Sequence, residues 1–145
     1  MITIEEHKQL ARRVPEDIAT EGDLELISDL FTEDAVEHSL AGDVRGREAI
    51  RQEIESFTDS FGDFSATVDD VVAEGDTVAM RLTWRGTHDG EFMGIEPTGE
   101  SFEVDNMVVT RIESGKIAER WVLPDMLGMF SQLGVLPAEL APPER

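Results

Sequence analysis

Residues 101–123, SFEVDNMVVTRIESGKIAERWVL, decide how this chain folds. Ser101 to Glu113 reads as one long strand, Ser114-Gly115 as a hairpin turn, and Lys116 to Leu123 as a strand that pairs back. Pro124 ends the second strand, because proline has no N–H to give to a ladder. Just upstream, Phe64 to Glu74 and Thr77 to Thr87 form another pair of strands around a Gly75-Asp76 turn. In the latter, Val78, Met80, Leu82 and Trp84 alternate with Ala79, Arg81, Thr83 and Arg85. One face is apolar and the other carries two arginines, the pattern of an antiparallel sheet with one covered side. Residues 64–123 are therefore sheet.

Residues 1–63 read as mainly helical. Thr3 and Glu6 form a capping-box pattern ahead of Ile4, Leu10, Val14 and Ile18. Pro15 kinks or restarts that helix, since it cannot donate to the carbonyl of Ala11. Asp23 is the expected cap of a short second helix through Phe31. Thr32 to Ser39 is a short extended piece, and Gly42 to Arg47 a loop. A third helix runs from about Arg47 to Phe61, with Ile50, Ile54, Phe57 and Phe61 on one face. A short helix spans 126–134, and 135–145 is a frayed tail. Helices first and hairpin-spaced strands after predict a single α+β domain over 1–145.

The composition excludes several classes. Thirty-two acidic residues face twelve basic ones, a net charge of −20. Phosphate backbones and anionic membrane surfaces want Lys and Arg, so no nucleic acid and no membrane is expected as partner. An apolar fraction of 40% supplies a core, so the acidity does not signal disorder. There is no cysteine, hence no disulfide, thiolate zinc site or cysteine nucleophile. No run is long and apolar enough to span a membrane, and the N-terminus is unlike a signal peptide, so a cytoplasmic location is expected. Only Lys8 and Lys116 are lysines, and the acids are spread along the whole chain. A coat of carboxylates repels itself and needs screening, which predicts a halophilic protein that works in molar salt.

Four strings carry a family resemblance. They are Gly22-Asp23-Leu24 with Leu30-Phe31 and His38; Gly46-Arg47-Glu48 opening a helix; Gly86-Thr87-His88, Gly90, Phe92, Gly94-Ile95 and Pro97-Thr98-Gly99; and Gly115-Lys116-Ile117, Glu119, Trp121, Asp125, Leu127-Gly128 and Gln132-Leu133-Gly134. On these the chain resembles the SnoaL-like polyketide cyclases of the nuclear-transport-factor-2-like superfamily. The resemblance implies a cone: a strongly bent antiparallel sheet wrapped around three helices, with an apolar pocket in the hollow. It implies a homodimer through the outer sheet face, and an intramolecular aldol step with neither metal nor organic cofactor. The family's acid/base aspartate lies at the end of the last strand, after the tryptophan, and Asp125 matches that position best. Members often carry histidine where Arg120 stands, and an acid where Val122 stands.

Asp125 thus has two readings: an acid/base whose proton affinity an apolar site raises, or the N-cap of the helix after it. His88 and His38 are candidates to donate to a ligand oxygen or shuttle a proton, or else to fix backbone by hydrogen bonds. His7 reads as near-surface. The three histidines lack ligand spacing, so no metal site is expected. Trp84, Trp121, Phe57, Phe61, Phe92, Met93, Ile95 and Met107 read as pocket wall or core. Asn106 is expected to point inward and orient a ligand carbonyl, with Asp105 outward. The loop from Gly86 to Gly99 lacks the lysine and helix of a phosphate cradle and shapes the pocket rim. These residues predict a small apolar ligand. The main expectation is a cofactor-independent acid–base enzyme of the aldol cyclase, isomerase or dehydratase type. The alternatives are a non-catalytic ligand-binding module and a dimerisation module with a filled cone.

Overall fold

A computed structural model of the chain describes residues 2–40, 42–136 and 138–140. Helix α1 (Ile4–Arg13) opens with the expected capping box, the Thr3 hydroxyl accepting from the Glu6 N–H. At Pro15 the chain passes into a π-helical segment (Val14–Thr20), and Gly22 follows with φ +79°. The missing proline N–H breaks the α ladder, and a wider turn absorbs the break. Helix α2 is shorter than expected (Leu26–Leu30), and its cap position is Glu25 with no side-chain bond. Asp23 is therefore not its N-cap.

The stretch expected as a short extended piece and a loop is instead a hairpin, β1 (Phe31–Ser39) and β2 (Gly42–Arg45). Helix α3 (Arg47–Asp59) follows from Gly46. Strands β3 (Ser65–Glu74), β4 (Thr77–Thr87), β5 (Ser101–Glu113) and β6 (Lys116–Pro124) lie where the alternation puts them. Helix α4 (Met126–Leu133) ends at Gly134, whose φ of +76° is the left-handed close that glycine permits. Of the expected tail, Ala138–Leu140 forms one 3-10 turn, while Pro137 and 141–145 lie outside the described residues.

The six strands form one bent sheet in the order β2-β1-β6-β5-β4-β3. The sheet is mixed, not wholly antiparallel: β1 runs parallel to β6. Hairpin reasoning orients only strands adjacent in sequence, and β1 reaches β6 by a long crossover. Bulges interrupt the β1–β6, β3–β4 and β5–β6 ladders and add curvature.

Val78, Met80, Leu82, Phe102, Val104 and Val108 line the buried face, under α1, α4 and Phe61. A second cluster joins Val14, Ile18, Ile27, Leu30 and Phe31 to Ile50 of α3 and Ile117. Burying such side chains stabilises each by about 1.5–3 kcal/mol. Gly86 is needed where β4 crosses the phenylalanine cluster, because a Cβ there would lie 3.1 Å from Phe61 and Phe102.

Candidate functional site

The concave side of the sheet holds a cavity of about 480 Å³. Its wall is apolar: Val14, Pro15 and Ala19 of the π-helical segment, Phe57 of α3, Phe64, and Trp84 of β4. Phe92 and Met93 of the β4–β5 loop form one rim and Leu40 another. Phe57 organises the aromatic wall, with its ring centroid 5.0 Å from Trp84, 5.3 Å from Phe64 and 5.5 Å from Phe92.

One end of this apolar space is polar. Arg120 of β6 donates through Nη1 to Oε1 of Glu37 on β1, and both side chains are less than a tenth exposed. Beside them, Glu53 of α3 accepts from the Ser39 hydroxyl at 2.7 Å. Its second oxygen, Oε2, is buried without a protein partner, as is Nε of Arg120. Burial is the main cause that pushes the Glu53 carboxyl above the ordinary glutamate range. The Ser39 hydrogen bond opposes this, the neighbouring Glu37 carboxyl raises it further by charge and by a hydrogen bond, and Arg120 lowers it. Two carboxyls and one guanidinium in an apolar cavity are the type of arrangement that moves protons.

Several expected site residues stand elsewhere. Asp125 is exposed, and its Oδ1 accepts from the Gly128 N–H at 2.8 Å, so it serves as the N-cap of α4 and does not line the cavity. Trp121 and Met107 are 36% and 52% exposed on the outer face. His38 is also outside: it is stacked on Trp121 at 5.1 Å and bonded to Asp43 at 2.7 Å and Glu119 at 2.6 Å. These two carboxylates raise its proton affinity, Glu119 foremost, and His38 in turn lowers that of Glu119.

One bulge explains the outward turn of Trp121. Ile112 faces Ile117, but Arg111 faces Glu119, so Ala118 is an extra residue in β6. An extra residue exchanges the two faces of everything beyond it. Ile117 is inside, but Glu119, Trp121 and Leu123 turn outward, and Arg120 and Val122 take the cavity side.

His88 is fully buried, and its Nδ1 accepts from the Thr98 N–H at 3.2 Å. It fixes the β4–β5 loop and is not among the cavity residues. Asn106 does point inward, 1% exposed with Oδ1 unpartnered, while Asp105 is exposed; Asn106 lies in the core outside the cavity lining. Phe61 is buried behind the wall. Trp84, Phe57, Phe92 and Met93 do line the cavity. Neither tryptophan fills the cone. Among the described residues, no three His, Cys, Asp or Glu side chains cluster as metal ligands.

Glu37, Ser39, Glu53 and Arg120 were not among the expected site residues. Glu53 did leave a signal, since it sits between Ile50 and Phe57 on the apolar stripe of α3. Arg120 left another, as the departure from the family's usual residue. Glu37 left none, because Val36 beside it is equally fit to face a core.

A bent sheet closed by helices over an apolar, acid-bearing hollow defines a cone-shaped small-molecule-binding domain. The chain belongs to the SnoaL-like polyketide cyclase family, whose sequence profile matches residues 9–133. It is 31% identical over 102 residues to the aklanonic acid methyl ester cyclase DnrD of Streptomyces peucetius, covering 69% of this chain and 68% of that one. The structure of IdmH from Streptomyces antibioticus superposes with a TM-score of 0.78 at 37% identity, over 89% of this chain and 99% of IdmH. TsrD from Streptomyces laurentii gives 0.84 at 31% identity, over 94% and 100%. No helix of the described residues is long and apolar enough to cross a membrane.

Proposed function

We propose that this protein is a cofactor-independent acid–base enzyme that closes a ring in an apolar, carbonyl-bearing molecule of polyketide type. The observation that carries the reading is Glu53: a carboxyl of raised proton affinity at the polar end of a cavity otherwise walled by aromatic side chains. In an aldol closure the enol carbon attacks a carbonyl carbon within the same molecule. Glu53 gives a proton to the carbonyl oxygen as the C–C bond forms, and the Glu53 carboxylate so produced takes the proton of the enol hydroxyl. Protons balance, and nothing is oxidised. Arg120 supplies positive charge near the developing oxyanion. The aromatic wall holds the chain of the substrate folded, so that the reacting carbons meet.

The test uses aklanonic acid methyl ester, the compound in DnrD's name, with ligand binding followed by Trp84 fluorescence and products by chromatography. Ring closure by the wild type and loss of at least a hundredfold in E53Q, with binding kept, supports the reading. Binding without any turnover supports a non-catalytic ligand-binding module instead. That second reading is favoured by β6, which presents Arg120 and Val122 to the cavity and no carboxylate.

The protein also acts as a homodimer through the outer sheet face. Met107 and Leu123 are cross-strand partners there, as are Val109 and Trp121. Leu123 is 70% exposed and Met107 52%, which makes one apolar patch around Trp121. A cytoplasmic location fits the same reading.

A further inference from the structure

We propose that Glu37 and Glu53 hold a single proton between them in the resting enzyme, and that Glu37 is a positioning residue whose fixed charge keeps that proton on Glu53. This deepens the proton-transfer role given to Glu53 above and rests on it.

The geometry is a closed set of charges. Glu37 belongs to β1 and Arg120 to β6, and they are direct partners in the parallel ladder. Their side chains meet in the interior, where the guanidinium and the carboxylate match each other's charge. Glu53 of α3 lines the same cavity next to Glu37 and has no cation of its own among its hydrogen-bond partners. A second ionised carboxylate there would leave two negative charges on one guanidinium in an apolar cavity. It would also leave Oε2 as a buried anionic oxygen without a donor. Each is costly, and a proton on Glu53 removes both. Two carboxyls so close titrate as a pair, and the first proton to bind belongs to the pair. Arg120 decides its location, because it is bonded to Glu37.

The other groups facing Glu53 do not change this balance. Ser39 of β1 donates to Oε1 and favours the ionised form. Glu91 lines the loop rim of the same cavity and is not among the groups that shift Glu53. With one proton in place, the polar end is electrically neutral: Glu37 is cancelled by Arg120 and Glu53 is uncharged. Such a site receives an uncharged carbonyl oxygen as a hydrogen-bond acceptor from Glu53. The enzyme therefore begins its cycle as an acid, and Glu53 becomes a base only after its proton has moved to the substrate.

Infrared difference spectroscopy of the ligand-free protein during a pH titration tests this without any substrate. The C=O stretch of a protonated carboxylic acid should persist after the surface carboxyls have ionised, and E53Q should abolish it. E37Q removes the neighbouring charge, so the band should vanish at lower pH than in the wild type. S39A removes the bond that favours ionisation, so the band should last to higher pH; this variant leaves the Arg120 pair intact and serves if E37Q does not fold. A wild-type spectrum with no band assignable to Glu53 overturns the proposal. So does a band that neither E37Q nor S39A moves. A band present in a protein that closes no ring leaves the shared proton standing and removes the proposed enzyme activity, so the two failures are separable.

Discussion

Glu37 and Arg120 are 83 positions apart in the chain, yet they are register partners on adjacent parallel strands, and their side chains form a buried ion pair. The pair links the first strand to the last at the cavity's polar end. Breaking a buried pair strands one charge, so R120M should destabilise the fold by about 3–5 kcal/mol. The double variant E37L/R120M should recover most of that loss, because neither charge is left behind. Urea unfolding of the three proteins measures it, and equal losses in single and double variants would count against a true pair.

Asp125 tests the exchange of roles between the sequence candidate and Glu53. Removing an N-cap side chain costs about 0.5–2 kcal/mol, so D125A should fall within that range. D125N should restore stability, since Asn caps nearly as well, and should close rings at the wild-type rate. A folded, fully stable D125N without turnover would return Asp125 to the chemistry.

The outer-face network around His38 makes stability depend on pH. Glu119 and Asp43 raise the His38 pKa above its unfolded value near 6.5. The contribution of a raised group is fully present below the unfolded pKa and is lost as pH rises through the folded one. The urea midpoint should therefore decline from about pH 6.5 upward, and H38Q should flatten that slope. Glu119 has the opposite sign: its lowered pKa contributes above the unfolded carboxylate range, and the contribution is lost as pH falls through the folded value. Trp121 reports the histidine directly, because an imidazolium stacked on an indole quenches it; a W84F background isolates that signal.

The net charge of −20 predicts a salt requirement. Screening of exposed carboxylates is nearly complete at molar ionic strength, where the Debye length is about 3 Å. The thermal midpoint should rise steadily from low salt to molar KCl. A flat response would leave the charge as a means of solubility only.

The outer apolar patch predicts a self-association that one charge can break. L123E places a carboxylate between Met107 and Trp121, away from the cavity. Sedimentation should show a dimer for the wild type and a monomer for L123E. Two identical profiles would move the interface elsewhere.

Much of this architecture was legible in residues 64–134. Alternation in Val78 to Trp84, the Ser114-Gly115 turn and the Gly134 stop are local signals, and local signals survive in a one-dimensional string. The apolar stripe of α3 and the capping box at Thr3 belong to the same kind. The family strings supplied the cone, strand parity set Asn106 and Asp105 on opposite faces, and the amide, cheaper to bury than a carboxylate, chose Asn106 as the inward one.

The site itself was decided by tertiary structure. Ala118 carries no mark of a bulge, yet it exchanges the faces of β6: it turns Trp121 out and Arg120 in. The parallel pairing of β1 with β6 is a contact across 83 positions, and no periodicity within either strand encodes it. The raised proton affinity of Glu53 comes from burial and from Glu37 on β1, against the opposing pull of Ser39 and Arg120. Sequence by itself determined the long helices, the four strands from β3 to β6 and the family they compose, because hydrogen-bond ladders and apolar periodicity are short-range. Only the folded chain determined which acid meets which arginine, because charge and burial depend on distance in space.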